Sequence, residues 1–286
     1  KYFLYRARGL RLRKIFSAAR PSMCIHERHG PSRPRWQTDP PAEETTPTCR
    51  RPAPDALACR AAAVHATMSN IAPNVSLDDK YTLKTGRAWM TGIQALVRLP
   101  MIQKLRDEAA GLNTAGFVTG YRGSPLGNVD QEFWKAKKFL EPMQIRFQPG
   151  LNEDLAATAV WGTQQLELDP KANYDGVFSI WYGKGPGVDR SGDVLRHANA
   201  AGTSKHGGVL VIAGDDHAAK SSTLPHQTEH VFKALMMPVL APAGIQEYLE
   251  YGVHGFALSR YSGCWVAFKA LTDTVETSSS VEVDPF

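Results

Sequence analysis

The chain has few cysteines for its length, and their spacing matches no known ligand set. Its 286 residues contain four cysteines, at positions 24, 49, 59 and 264. No two of them form a C-x-x-C pair, the spacing typical of zinc and iron–sulfur sites. We therefore expect no metal site in this chain. Cys264, beside Trp265 in an apolar run, is expected to be a buried structural residue.

Long apolar runs and the common phosphate-binding motifs are also missing. No run approaches the roughly 20 residues that a helix needs to cross a bilayer, so we expect no membrane contact and a cytoplasmic location. Glycine-rich turns at 120–127 and 183–192 match neither G-x-G-x-x-G nor a Walker A motif. Their serines lack the G-x-S-x-G context of a hydrolase nucleophile. A phosphate-binding role for either turn is only weakly supported, and ordinary loop chemistry is the simpler interpretation.

The excess of positive over negative charge is confined to the first quarter of the chain. The net charge is +5, but residues 1–67 alone hold 13 Lys or Arg against 5 Asp or Glu. The remainder is thus net negative, and the sequence gives no support to nucleic-acid binding. Residues 1–67 also hold 8 of the 19 prolines and show no regular period, so we expect disorder there.

The origin and the boundaries of this first segment follow from its composition. Its Arg-rich start is compatible with a transit or membrane-surface segment. The alternative, which we favour, is that Met68 is the true start and that 1–67 is translated upstream sequence outside the native protein. We then expect a polar segment at 68–81 and one α/β domain at 82–286.

From about Thr82 the apolar pattern alternates between strand and helix spacing. The predicted strands are short apolar runs at 114–120, 143–148, 174–182, 207–214, 238–242 and 264–270. The segments between most of them repeat apolar residues at helical spacing, which predicts βαβ units and a parallel sheet flanked by helices.

Three local features refine this α/β prediction. The first helix is expected to run from about Thr85 to Gly111, with Pro100 kinking or splitting it. Asn152 is a predicted N-cap for a helix that begins at Glu153. The sequence after the last predicted strand has no closing helix, so we expect a domain truncated on its C-terminal side.

Four polar segments are predicted to follow strands at one edge of the sheet: 120–130, 149–154, 183–193 and 215–230. Ligands of open parallel sheets gather at that edge. Glu153 could simply stabilise the helix macrodipole, but the small residues that follow allow close packing, and a partly buried carboxylate suits proton chemistry. The histidines of 215–230 match no zinc motif, so a polar loop lining a cleft is favoured over a metal cluster.

Four motifs, taken in order, carry a family resemblance. They are T-G-Y-R-G-S-P-L-G, N-E-D-L-A-A-T-A-V-W-G-T-Q, G-K-G-P-G-V-D-R-S-G-D-V-L-R-H-A-N and G-G-V-L-V-I-A-G-D-D-H-A-A-K-S-S-T-L-P-H-Q-T-E. Over roughly residues 76–280 the chain resembles the thiamine-diphosphate-dependent 2-oxoacid:ferredoxin oxidoreductases. It is most similar to their long-chain indolepyruvate group, in which this segment is the pyrimidine-binding domain.

The resemblance implies roles for individual residues. Glu153 matches the catalytic glutamate that hydrogen-bonds N1′ of the aminopyrimidine and so activates the cofactor for attack on a 2-oxoacid. Ser124 and Gly123 lie where the family's strand-end turn meets cofactor and substrate. The implied substrate-lining residues are Arg122, Ser124, Lys184, Asp189, Arg190, Asp215, Asp216 and His217.

The resemblance also implies what other parts of the enzyme supply. This chain has no G-D-G…N motif for the diphosphate and Mg²⁺, so thiamine diphosphate would be bound jointly with a further, C-terminal domain. A [4Fe-4S] cluster would lie elsewhere in the full-length enzyme. The implied partners are a 2-oxoacid, ferredoxin, coenzyme A and a second copy in a homodimer. Another thiamine-dependent decarboxylase or transketolase-type domain, or a non-catalytic nucleotide-binding module, remains open.

Overall fold

The structure of the chain, a computed structural model, describes residues 75–286. The predicted disordered segment 1–67 lies outside this range, as do the residues up to 74. Within it the strands are β1 Gly86–Thr91, β2 Thr114–Gly120, β3 Ile145–Phe147, β4 Gly176–Lys184, β5 Val209–Asp215, β6 Val239–Leu240, β7 Val266–Leu271 and β8 Ser278–Val283.

The helices of the same range alternate with these strands. They are α1 Asp79–Thr82, α2 Gly92–Ala109, α3 Val129–Lys135, α4 Lys137–Leu140, α5 Glu153–Thr163, α6 Gly185–Arg190, α7 Gly192–Ala201, α8 Glu229–Ala234, α9 Ile245–Ser262 and α10 Thr272–Val275. Short 3₁₀ turns occupy Glu141–Met143 and Leu166–Leu168. None of the helices between residues 75 and 286 is both long and apolar enough to cross a membrane.

Six strands form one sheet in the order β3-β2-β4-β5-β7-β6, and every neighbouring pair is parallel. They correspond to the six strands that the sequence predicts, so an α/β fold with a parallel sheet flanked by helices is confirmed. All seven residues of β5 are buried, which is typical of a strand covered by helices on both faces.

The two faces of the sheet bury separate hydrophobic clusters. Along β5, Leu210 and Ile212 belong to the cluster under α2 and α9, whereas Val209, Val211 and Ala213 belong to the cluster under α5, α7 and α8. This alternation follows from the two-residue period of a strand. Helices on both faces leave the carboxyl edge of the sheet open, and the candidate site lies there.

The first predicted helix is wrong over its N-terminal part. Residues Gly86–Thr91 form β1, which pairs antiparallel with β8. The helix begins at Gly92 instead, where the Thr91 side chain accepts from Gln94 N at 3.2 Å and the Gln94 side chain accepts from Thr91 N at 3.0 Å. This reciprocal capping box satisfies two backbone donors and fixes the start of α2.

Three further expectations need correction. Pro100 lies inside α2, which runs without a break, so the predicted splitting of this helix is wrong. The glycine-rich segment 183–192 is not a loop, because Lys184 ends β4 and α6 follows with Pro186 in its first turn, a position that proline tolerates. Cys264 is only partly buried, since it lies in the short connection between α9 and β7, ahead of the buried Trp265.

Candidate active site

The polar segments predicted to share one edge do follow neighbouring parallel strands. β2 ends at Gly120, β4 at Lys184 and β5 at Asp215, and β4 pairs with both of the others. The turn after β3 joins this edge because Gly150 N donates to the Gly120 carbonyl oxygen at 2.8 Å. The carboxyl edge therefore carries the site.

Glu153 is the first residue of α5 and is buried. Asn152 caps the helix as predicted, its side-chain oxygen accepting from Leu155 N at 2.8 Å. Only 7% of Glu153 is exposed, yet its carboxylate makes no hydrogen bond or ion pair with any described residue. Trp181 holds the backbone here, since its indole N–H donates to the Glu153 carbonyl oxygen at 3.1 Å.

Helix α6 lies directly against the Glu153 side chain. A Cβ added to Gly187 would lie 2.7 Å from Glu153 Cγ and 2.9 Å from Oε1. Only glycine leaves room for this arrangement, because real carbon contacts are optimal at about 3.5–4.0 Å. The glycine-rich segment 183–192 thus shapes the site by packing against the carboxylate.

The turn after β2 meets the end of β4. A Cβ added to Gly123 would lie 2.8 Å from Lys184 Cδ, so the lysine stem crosses the glycine of the turn. Tyr121 N donates to the Tyr182 carbonyl oxygen at 3.0 Å and holds the turn against the strand. Gly123 therefore places Lys184 beside Ser124.

A cavity of about 140 Å³ lies between these turns and the segment that follows β5. Its polar lining includes Ser124, Lys184 and His226. The Ser124 hydroxyl and the Lys184 ammonium have no hydrogen-bond or ion-pair partner among residues 75–286. Two of the predicted substrate-lining residues thus share one cavity with a histidine.

His226 links the cavity to two aspartates. Its Nε2 lies 2.9 Å from Asp189 Oδ2, and its Nδ1 lies 3.7 Å from Asp215 Oδ1. Both Nδ1 and Asp215 Oδ1 are buried without a hydrogen-bond partner in the described range. A Cβ on Gly185 would lie 2.0 Å from Nδ1, so the imidazole packs against the start of α6.

Asp215 also belongs to a buried cluster around Lys269. Asp215 Oδ2 accepts from Thr228 N at 2.9 Å and lies 3.3 Å from the Lys269 ammonium. The same ammonium donates to Glu229 and lies 3.2 Å from His217 Nε2. Ligand atoms of Asp215, His217 and Glu229 lie within 4.8 Å of one another, as in a metal site. The lysine already supplies the cation that these carboxylates need.

Asp216 holds the loop after β5 rather than facing the cavity. Its carboxylate accepts from the backbone N–H groups of Lys220, Ser221 and Ser222 at 2.9, 2.6 and 2.7 Å. Burial raises the pKa of this carboxyl, but the three backbone hydrogen bonds outweigh burial and lower the pKa from 3.8 to about 2. Asp216 is thus an anionic anchor for residues that line the cavity.

Other predicted site residues lie at the same edge but outside the cavity. Arg122 is exposed and has no ion-pair partner within 75–286. Arg190 pairs with Asp154 at 3.0 Å on the outer surface. Asp189 is exposed and reaches the site only through His226. The contact of each with a substrate stays a prediction.

Sequence reasoning missed two residues that shape the site. Lys269 carries a sequence signal, because it is the one lysine in the otherwise apolar run C-W-V-A-F-K-A, and a buried lysine requires charged partners. Gly187 carries none, since its role depends on how α6 packs against α5.

The chain is similar to the indolepyruvate oxidoreductase subunit IorA of two Methanothermobacter species. It is 28% identical to the Methanothermobacter marburgensis protein over 186 residues, which cover 65% of this chain and 26% of that protein. It is 26% identical to the Methanothermobacter thermautotrophicus protein over 210 residues, covering 73% and 30%. The predicted resemblance to the 2-oxoacid:ferredoxin oxidoreductases is confirmed, although the chain spans less than a third of either relative.

The fold also matches a solved structure. A 2-oxoglutarate:ferredoxin oxidoreductase from Magnetococcus marinus, solved with 2-oxoglutarate, coenzyme A and succinyl-CoA bound, superposes with a TM-score of 0.50. The match covers 68% of this chain and 31% of that one at 17% identity, and it shows the shared fold. No protein-family model matches the chain.

Proposed function

We propose that this chain is the N-terminal thiamine-diphosphate-binding part of a 2-oxoacid:ferredoxin oxidoreductase. The reaction would be the oxidative decarboxylation of an aryl pyruvate such as indolepyruvate, with electrons passed to ferredoxin and the acyl group to coenzyme A. The observation that carries this proposal is the Glu153 carboxylate, buried at the open carboxyl edge and left without a partner in the described residues.

The geometry fits one half of the cofactor. An unpaired buried carboxylate suits a ring nitrogen that must be held protonated, as N1′ of the aminopyrimidine must be. Asn152 and Trp181 hold the backbone of Glu153, and Gly187 limits the positions of its side chain. When bound, thiamine diphosphate supplies the nucleophile for decarboxylation and carries the electrons. Glu153 would position the pyrimidine and keep its ring nitrogen protonated.

Exposed apolar side chains support a second domain at this edge. Leu151 and Leu155 flank Glu153 and are 86% and 52% exposed, so they leave apolar surface next to the buried carboxylate. We propose that the domain carrying the diphosphate and Mg²⁺ covers this surface within a homodimer. The [4Fe-4S] cluster belongs to other parts of the complete enzyme.

Replacing Glu153 with glutamine in the complete enzyme tests this function. We expect kcat for 2-oxoacid-dependent ferredoxin reduction to fall by about 10²–10⁴-fold, the usual contribution of a positioned proton-transfer group. The melting temperature should hardly change, because the carboxylate has no partner to lose among residues 75–286.

Asp154→Asn is the matched control on the same helical turn. Asp154 pairs with Arg190 on the surface, so this variant should keep nearly full activity. A Glu153→Gln enzyme with wild-type kcat would contradict the proposed role.

A further inference from the structure

A second cavity lies beside β3, the edge strand of the parallel sheet. Its volume is about 750 Å³, within the range of about 300–1,000 Å³ that is usual for small-molecule sites. No strand of the described range covers the outer side of β3, since this strand ends the order β3-β2-β4-β5-β7-β6. Residues of α3, α4 and the segment before β4 form the other walls. The cavity is thus large enough for a complete small molecule.

Aromatic side chains form one wall of this cavity. The rings of Phe133 and Phe147 stack with their centroids 4.9 Å apart, and Trp134 lies edge-to-face with Phe147 at 5.2 Å. Trp134 is nevertheless 49% exposed, so much of its indole is free to contact a ligand. Tyr174 also lines the cavity. Such a wall favours a planar ring, which can stack on the indole or meet it edge-to-face.

The cavity wall carries one positive charge without a counter-charge. Its charged residues are Lys137, Glu141 and Arg146. Lys137 and Glu141 lie 3.4 Å apart and compensate each other, whereas the Arg146 guanidinium has no ion-pair or hydrogen-bond partner within 75–286. The Gln144 side-chain oxygen accepts from Lys104 at 2.8 Å, which leaves the Gln144 amide nitrogen to donate. A guanidinium and an amide donor are therefore available to an anionic group.

A carboxylate matches this charge better than a phosphate does. A guanidinium can donate two parallel hydrogen bonds to either group. A phosphate monoester, however, carries a charge of about −1.5 to −2 near pH 7, which a single arginine does not neutralise. The single charge of a carboxylate is balanced by Arg146 alone.

We propose that this cavity binds a small planar aromatic carboxylate, with the ring against Trp134 and the carboxylate on Arg146. Neither Glu153 nor any residue that lines the Ser124 cavity contributes to its walls. The site is therefore separate from the candidate active site, and the proposal goes beyond the function proposed above without depending on it.

2-Naphthoate is a suitable probe, because it combines a planar aromatic ring system with one carboxylate. We would titrate it calorimetrically into the complete enzyme. Arg146→Gln should weaken its binding by about tenfold, the lower end of the range for hydrogen bonds to charged groups, because the guanidinium is exposed. Arg146→Lys should restore part of the affinity, because lysine keeps the charge but not the paired donors. Trp134→Leu should weaken binding by about two- to tenfold through the lost aromatic contact.

Arg87→Gln is the matched control. Arg87 is exposed on β1, outside the cavity, and its loss should leave 2-naphthoate binding unchanged. The neutral 2-naphthamide and the non-aromatic cyclohexanecarboxylate should both bind more weakly than 2-naphthoate, since each lacks one of the two recognised groups.

Three results would overturn the proposal. They are no detectable binding of 2-naphthoate to the wild type, equal affinity in the wild type and Arg146→Gln, and tighter binding of adenosine monophosphate than of 2-naphthoate. Because the titration needs no turnover, an Arg146-dependent affinity would support the site even if Glu153→Gln kept full activity.

Discussion

Replacing Gly187 with alanine perturbs the candidate site through packing alone. The added methyl group would lie 2.7 Å from Glu153 Cγ and 2.9 Å from Oε1, whereas ordinary contacts begin near 3.4 Å. The glutamate must therefore move by about 1 Å to restore a normal contact. No polar partner among residues 75–286 opposes that movement, so the side chain rather than the backbone should give way.

The stability of the domain should change little. Overpacking a buried site costs about 1–3 kcal/mol, and the low end applies because the displaced group is a side chain without partners. Gly187 lies within α6 and has no positive φ, so alanine also recovers about 1 kcal/mol of helix propensity. The net free energy of unfolding should stay within about 2 kcal/mol of wild type, a shift of at most about 8 °C in Tm.

Activity should change much more than stability. A displacement of about 1 Å in a positioned catalytic group costs about 10²-fold in rate. We therefore expect kcat for ferredoxin reduction in the complete enzyme to fall by about two orders of magnitude. The assay pairs this rate, at saturating 2-oxoacid, with a thermal melt of the same preparation.

Gly192→Ala is the matched control, since a Cβ at this first residue of α7 meets no atom within 4 Å. It should keep full activity and an unchanged or higher Tm. Normal kcat in a well-folded Gly187→Ala enzyme would refute the argument that this contact positions Glu153.

Two further predictions concern stability and can be checked by urea unfolding. Lys269→Met should lower the free energy of unfolding by about 3–5 kcal/mol, because it leaves buried carboxylates without their cation. The control Lys220→Met removes an exposed ion pair with Asp273 at 3.3 Å and should lower the free energy of unfolding by less than about 1 kcal/mol. Equal losses in the two variants would contradict the role of burial. Asp216→Asn should destabilise the domain near neutral pH. A carboxyl with a lowered pKa stabilises the fold above its unfolded-state pKa, so the difference from wild type should shrink as pH falls from about 4 towards 2; a difference that persists at low pH would contradict it.

The sequence predicts the parallel sheet because its strands are apolar runs separated by helical spacing. β1 was not predicted as a strand, although the burial of its side chains alternates: Ala88 and Met90 are buried, and Arg87 and Trp89 are exposed. No turn residue separates it from α2, which begins directly after it at Gly92, and its partner β8 lies far along the chain. Strand preference depends on such pairing, which local sequence does not contain.

The candidate site likewise contains features that the sequence predicts and features that it does not. The start of α5 at Glu153 follows from Asn152 and the pattern of its helix, both of which are local. The cavity could not be predicted, since it depends on Lys184 crossing Gly123 and on His226 packing against Gly185. These contacts join segments that are distant in sequence, so only the folded chain brings their side chains together.

The pairing of β1 with β8 has a consequence for synthesis of the protein. Residues Gly86–Thr91 pair as an antiparallel strand with Ser278–Val283. Because these segments are far apart in the chain, β1 emerges from the ribosome long before its partner strand has been synthesised. At about 5–20 residues per second, this delay is roughly 10–40 s. During that time β1 exposes an unpaired edge together with Met90, a template for pairing with other chains. A nascent chain halted before Ser278 should therefore be more prone to aggregation than one that includes β8.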